Sequence, residues 1–198
     1  MATTVATVVV PFRSGGKSRL PADVRVDLAL AMLGDVLEAA LTHTEDAVHV
    51  RLVTDDAAAV EIARTLGAEV IADPGGGQGA AVQAALAGVE GACLVVNADL
   101  PCATAAALAR LAALAPGLVA AADGTTNALA LPDRSWFMPA YGPGSAGSFE
   151  ARGLVPAAIP ELEHDVDTLL DLERLGLPLG RRTDIVLNQH KVLSARTG

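Results

Sequence analysis

Aromatic side chains are scarce: three Phe, one Tyr and one Trp in 198 residues. A core with so few rings must be filled by Ala, Val and Leu, which suits helices packed on a sheet. Cysteine is as rare. Cys93 and Cys102 are the only two, and they show neither metal-ligand nor redox spacing. That excludes a disulfide framework and makes a reducing, cytoplasmic setting the expectation. Lysine occurs only at Lys17 and Lys191, and the net charge is −9. A nucleic-acid binder needs a basic face, so this balance excludes that class. An anionic ligand must instead find cations or metal placed locally, against the overall field. The opening "MATTVATVVVPF" is too short to span a membrane and lacks a basic leader. It is expected as a buried first strand, with no membrane partner.

What is present is a rhythm. Short β-branched runs at 6–12, 47–54, 68–73, 92–99 and 117–123 alternate with helical patterns at 22–41, 56–67, 79–91 and 104–114. Gly67 can take the left-handed cap at one helix end. The fully apolar "ACLVVNAD" fits a central strand. The fold class is therefore α/β, one domain over 1–198, with a doubly wound, mostly parallel sheet. The rhythm then changes. "TNALALP" (126–132) has no helix before it and is expected antiparallel or at an edge. "LVPAAIP" (154–160) reads as an edge strand that tolerates Pro. The basic stretch 181–198 is expected as a partly disordered tail.

Four stretches carry candidate chemistry. "PFRSGGKSRL" follows the first strand, where open α/β sheets bind ligands. Gly15 and Gly16 let backbone N–H groups approach a phosphate, and Arg13, Lys17 and Arg19 supply cations. The spacing is not that of a P-loop or a dinucleotide fingerprint, and a solvated basic turn is the plain alternative. In "NADLP", Asp99 ends the apolar strand; it either faces a ligand or caps the next helix. "GTTNAL" and "YGPGS" offer Thr125, Thr126, Gly142 and Ser145, with Ser145 a candidate N-cap. Last, "ELEHDVDTLLDL" gathers Glu161, Glu163, Asp165, Asp167 and Asp171 within twelve residues. Thr168 and Asp171 match a capping box and read as structural. Asp165 and Asp167, at i and i+2, lie outside it. If they meet Asp99, three carboxylates share one spot, and oxygen-only ligands select Mg²⁺ or Mn²⁺.

Together, "PFRSGGKSRL", "NADLP", "GTTNAL", "YGPGS" and "DVDTLLDL" resemble, in order and over most of the chain, the 2-phospholactate and phosphoenolpyruvate guanylyltransferases of coenzyme F-420 biosynthesis. The resemblance implies a single-domain, Rossmann-like, GT-A nucleotidyltransferase fold: a three-layer sandwich on a mostly parallel mixed sheet. It implies a reaction in which a small phosphorylated acid attacks the α-phosphorus of GTP and expels pyrophosphate. It places the metal ligands, for Mg²⁺ or Mn²⁺, on Asp99, Asp165 and Asp167. Acceptor binding falls on Thr126, Gly142 and Ser145, and the nucleotide phosphates on the first loop with Lys17 and Arg19. The Ala-rich, Lys-poor composition fits a GC-rich bacterial genome, whose members of this family lean toward phosphoenolpyruvate. 2-Phospholactate and 3-phosphoglycerate stay as alternative acceptors. A related transferase of CTP or a sugar phosphate, and a nucleotide-binding module without turnover, are the competing readings. Monomer and homodimer are both open. Three positions depart from the family: Gln78-Gly79 stands where a Leu-Asn pair is expected, and Leu169 where Pro is usual.

Overall fold

The computed structural model describes residues 5–13, 20–43 and 49–197. Seven strands form one sheet in the order β3-β2-β1-β4-β6-β5-β7. They are β1 (Val5–Pro11), β2 (His49–Thr54), β3 (Glu69–Ala72), β4 (Ala92–Val96), β5 (Gly117–Ala120), β6 (Thr126–Leu131) and β7 (Val155–Pro156). β6 alone runs antiparallel, to both β4 and β5. The expected antiparallel strand thus lies between two others rather than at an edge. Both of its ladder faces are paired, and all six of its residues are buried.

Strand alternation divides the core into two layers. Val8, Val10, Leu52, Leu94, Val96, Ala128 and Ala130 face a layer with α1 (Arg25–His43), α2 (Ala57–Leu66) and α4 (Ala105–Ala112). Val9, Val53, Cys93, Val95, Leu129 and Leu131 face α3 (Gln78–Ala85) and α5 (Ser145–Ala151). This is a three-layer sandwich. β4 is buried at every position, as its apolar run requires. Asp56 caps α2 through the N–H groups of Ala58 and Ala59, and Gly67 ends it at φ 90°. Burial pushes the Cys93 thiol up to about 12 and the Cys102 thiol to about 11, so both are inert at neutral pH. Among the described residues no helix is long and apolar enough to cross a membrane.

Two sequence expectations change. The stretch read as an edge strand over 154–160 keeps only the two residues of β7. Pro160 has no N–H for a ladder and instead opens the short helix α6 (Pro160–Glu163). The segment from Arg181, expected as a loose tail, is the helix α8 (Arg181–Thr197). α7 (Leu169–Arg174) precedes it.

The start of α8 explains why sequence pattern missed it. Its cap comes from the middle of α1, far away in the chain. Asp35, 5 % exposed, accepts hydrogen bonds from the N–H groups of Arg182 and Thr183, both at 2.9 Å, and from the Thr183 hydroxyl at 2.7 Å. A carboxylate at a helix N-terminus also opposes the helix dipole favourably. A Cβ at Gly180 would collide with the Asp35 carboxylate, and one at Gly34 would collide with the Arg182 side chain. These two glycines let the helices meet. Arg182 then crosses α1 to Glu38, with Nη2 at 2.6 Å from Oε1.

Replacing Asp35 by Ala strands three donors. Hydrogen bonds to a charged group contribute about 1.5–3 kcal/mol each, and part of that is recovered when water enters. The expected loss is on the order of 3 kcal/mol, or roughly 6–12 °C in Tm for a domain of this size. Arg181→Ala, at an exposed position, should stay within about 0.5 kcal/mol. Melting curves of the two variants check this, and equal curves would contradict the cap.

Candidate active site

The sheet order reverses at β1 and β4: the chain leaves β1 for β2 and β3 on one side, then returns to β4 on the other. The carboxyl ends of strands diverge at such a point and leave a crevice. A cleft of about 340 Å³ lies there. It is lined by Arg13 after β1, Asp73 after β3, Gln78 at the start of α3, Asn97 and Asp99 after β4, and Asp167 before α7.

Arg13 is held in the cleft by Asp73. Its Nε and Nη2 donate to the two carboxylate oxygens at 2.5 and 2.8 Å, a bidentate pair. The Asp73 side chain is 3 % exposed. Its hydrogen bonds from Arg13 outweigh burial and, with the Gly75 N–H, hold the carboxyl below the usual carboxylate range. Of the other predicted phosphate-binding residues, Gly15, Gly16, Lys17 and Arg19 lie outside the described residues.

The structure brings Asp99 and Asp167 to one cleft. A backbone hydrogen bond joins their segments: the Val166 N–H donates to the Asp99 carbonyl at 3.1 Å. Val166 itself is fully buried, against Leu28, Met32 and Leu172. Asp165, on its other side, is half-buried and is not part of the cleft lining. Among the described residues no group of three His, Cys, Asp or Glu side chains is close enough to hold a metal ion.

The capping box forms as the sequence suggested. The Asp171 carboxylate accepts from the Thr168 N–H at 2.7 Å, and the Thr168 hydroxyl accepts from the Asp171 N–H at 3.2 Å. Asp171 also accepts from the Asp167 N–H at 3.1 Å, so the cap fixes the backbone that carries Asp167. Burial would raise the Asp171 carboxyl, but hydrogen bonds from the side chain and backbone of Thr168 and the backbone of Asp167 leave it below its usual range. The cap therefore contributes fully above the ordinary carboxylate pKa and is lost as pH falls through the lowered folded value.

Thr126 and Ser145 also meet. Their hydroxyls are 3.0 Å apart, and both residues are buried. Gly142, at φ 99°, accepts the Ser145 N–H at 3.1 Å. Ser145 is not the helix N-cap; Gly144 takes that place in the left-handed region, and Ser145 is the first helical residue. The few aromatics anchor this corner: Phe137, Tyr141 and Phe149 form a ring trio with centroids 6.2–6.4 Å apart. A hydrogen-bond path links it to the cleft, because Asn97 Nδ2 donates to the Thr126 carbonyl at 3.0 Å.

Sequence reasoning missed Asp73, Asn97 and the role of Gln78. Asp73 and Asn97 each follow a strand end, a place that could have singled them out. Gln78 Nε2 donates to Asn97 Oδ1 at 2.7 Å. At the neighbouring departure, a Cβ on Gly79 would lie 2.7 Å from the Pro139 carbonyl oxygen. This chain has no room for an Asn there.

A MobA-like NTP transferase domain matches residues 14–146. A phosphoenolpyruvate guanylyltransferase of Nocardia farcinica is 40% identical over 172 residues, covering 79% of this chain and 76% of that protein. One from Streptomyces scabiei is 40% identical over 205 residues, covering 89% and 93%. Among solved structures, a nucleotidyl transferase from Methanothermobacter has a TM-score of 0.62 at 19% identity, covering 92% of this chain and 98% of its own. A cytidylyltransferase from Leptospira borgpetersenii has 0.59 at 13%, covering 97% and 96%. At such identities these two bear on the fold, which is of the GT-A nucleotidyltransferase type.

The jobs of Asp167 and Thr168 separate by mutation. Asp167→Asn keeps size but removes a charge from the cleft; folding should survive while turnover falls by orders of magnitude. Thr168→Ala should cost about 1 kcal/mol of stability and leave the rate per folded molecule nearly unchanged. A melting curve and a turnover number for each decide it. Retained turnover in Asp167→Asn with a lowered Tm would make that carboxylate structural.

Proposed function

This chain belongs to the phosphoenolpyruvate guanylyltransferase family and carries its MobA-like NTP transferase domain, and we propose that it transfers GMP from GTP to the phosphate of phosphoenolpyruvate. An acceptor phosphate oxygen bonds to the α-phosphorus, the bond from that phosphorus to the β-phosphate bridge breaks, and pyrophosphate leaves. The observation that carries this reading is the pairing of Asp99 and Asp167 with the Arg13–Asp73 pair in one cleft at the sheet's switch point. Nucleotidyl transfer asks for positioning and charge neutralisation more than for covalent help from the protein.

The donor set fits a hard divalent cation. Mg²⁺ is commonly held by one or two carboxylates and the substrate phosphates, not by an all-protein cage. Asp99 and Asp167 would hold it, with Asp165 one residue from Val166 as the further candidate. Such a cation neutralises the charge that develops on the transferring phosphate. The protein's own part is placement. Asp73 orients Arg13 toward the phosphates, and Lys17 and Arg19 on the same loop would add the charge that an acidic protein otherwise lacks. Thr126, Gly142 and Ser145 would seat the acceptor across the Asn97 bridge. The reading places the protein in the cytoplasm and in the supply of a deazaflavin coenzyme.

Pyrophosphate release with each NTP against phosphoenolpyruvate, 2-phospholactate and 3-phosphoglycerate tests the assignment. GTP with phosphoenolpyruvate should give the highest kcat/KM. Stripping with EDTA should abolish release, and Mg²⁺ or Mn²⁺ should restore it. Full activity after stripping, or equal rates with CTP, would refute the corresponding part. Lys17→Ala should weaken GTP binding by roughly tenfold to a hundredfold, the equivalent of about 1.5–3 kcal/mol for one charged hydrogen bond. An unchanged Kd would make the first loop a solvated turn.

A further inference from the structure

Asn97 stands between the two halves of the site. Its backbone N–H donates to the Asn127 carbonyl at 2.9 Å, and its Nδ2 to the Thr126 carbonyl at 3.0 Å. Its Oδ1 accepts from Gln78 Nε2 at 2.7 Å. One fact orders the whole chain of bonds. A backbone carbonyl can only accept, so Asn97 must turn its NH₂ toward Thr126 and its oxygen toward Gln78. Gln78 must then present its own NH₂ to Asn97. Reversing any amide would set two acceptors, or two donors, against each other.

The two ends of this path differ in exposure to ligand. Gln78 and Asn97 line the cleft. Thr126 is buried, and its hydroxyl meets that of Ser145 at 3.0 Å. The cleft end is also held in place. Gln78 is the first residue of α3, and the contact of Gly79 with Pro139 is so close that a Cβ would sit 2.7 Å from the Pro139 oxygen. The first turn of α3 is backed directly against Pro139 there. A ligand that draws on the Gln78 amide therefore changes the Asn97–Thr126 bond instead of moving the helix.

We propose that Gln78 and Asn97 are positioning residues that couple nucleotide in the cleft to the seat of the acceptor at Thr126 and Ser145. The coupling rests on the proposed function for what occupies each end. It runs through side-chain amides whose polarity is fixed by the Thr126 carbonyl. It predicts that bound nucleotide tightens acceptor binding, and by linkage that acceptor tightens nucleotide binding by the same factor.

The first test needs no turnover. The ¹⁵N-labelled full chain is titrated with GTP and Mg²⁺, and the amide of Asn127 is followed, because that N–H belongs to the same peptide unit as the Thr126 carbonyl. It should shift in the wild type and stay still in Gln78→Leu, while the amides of Asp73 and Ala81, both of which line the cleft, shift in both. A second variant, Asn97→Asp, keeps an oxygen toward Gln78 but cannot donate to Thr126. It should lose the Asn127 response too. The second test measures the Kd of phosphoenolpyruvate with and without a non-hydrolysable GTP analogue. Gln78→Leu should cut the coupling factor by about fivefold, the equivalent of one neutral hydrogen bond of about 1 kcal/mol. Thr65→Ala, on the outer face of α2, should leave it unchanged. An Asn127 shift that survives in both variants, or an undiminished coupling factor, overturns the relay. If no cleft amide moves with GTP in the wild type, the proposed function fails, and the relay fails with it. If the amides respond as expected but phosphoenolpyruvate does not bind, the relay stands and only the acceptor assignment falls.

Discussion

Two carboxylates at one cleft repel each other. Each like-charge pair in such a cleft adds a Coulombic cost that grows as the two approach and as water is excluded. The chain opposes this with a backbone tie, the hydrogen bond from the Val166 N–H to the Asp99 carbonyl. Val166 is fully buried, so the tie sits under apolar cover and away from competing water. Asp171 then secures the other side by accepting from the Asp167 N–H. Separate segments of an acidic protein are thus brought to one place by one main-chain bond, Val166 to Asp99, and one bond from a main-chain N–H to the Asp171 carboxylate. The packing of α7 and the course of the loop after β4 both follow from that placement.

The same economy appears on the cationic side. Arg13 is not left to swing in solvent. Asp73 clamps it through two bonds, and Asp73 is in turn fixed by the Gly75 N–H at 2.8 Å. An Arg fork is planar and loses little freedom per bond formed, so two bonds to one carboxylate suffice to fix the guanidinium at the cleft wall.

Much of the fold was legible because its cause is local. Strand runs such as "ATVVVPF" and the capping signals of Gly67 and Thr168 need only near neighbours to act, and each appears where the pattern put it. Asp99, at the end of an apolar strand, and Asp167, outside the capping box, do reach one cleft, whereas Asp165, read with them, is not in its lining. What escaped has a distant cause. α8 is polar in pattern and gains its cap from Asp35, more than a hundred residues earlier. β7 stops after two residues and Pro160 opens α6, whose Leu162 carbonyl accepts from Asn127 Nδ2, more than thirty residues earlier. Gln78 looked like a defect in a loop motif, and only its partner Asn97, nineteen residues on, gives it a purpose.

The docking of α8 reaches further than its own helix. The residue before it, Gly180, donates its N–H to the Pro101 carbonyl at 2.6 Å, two residues past Asp99. The segment that opens α8 thereby acts as a hasp on the loop that carries Asp99. Shortening the protein at its carboxyl end, or fusing a bulky partner close to Arg181, would loosen a loop that such a cut never touches. An assay of a trimmed protein would then read as a fault in the cleft where the true injury is a lost hinge pin.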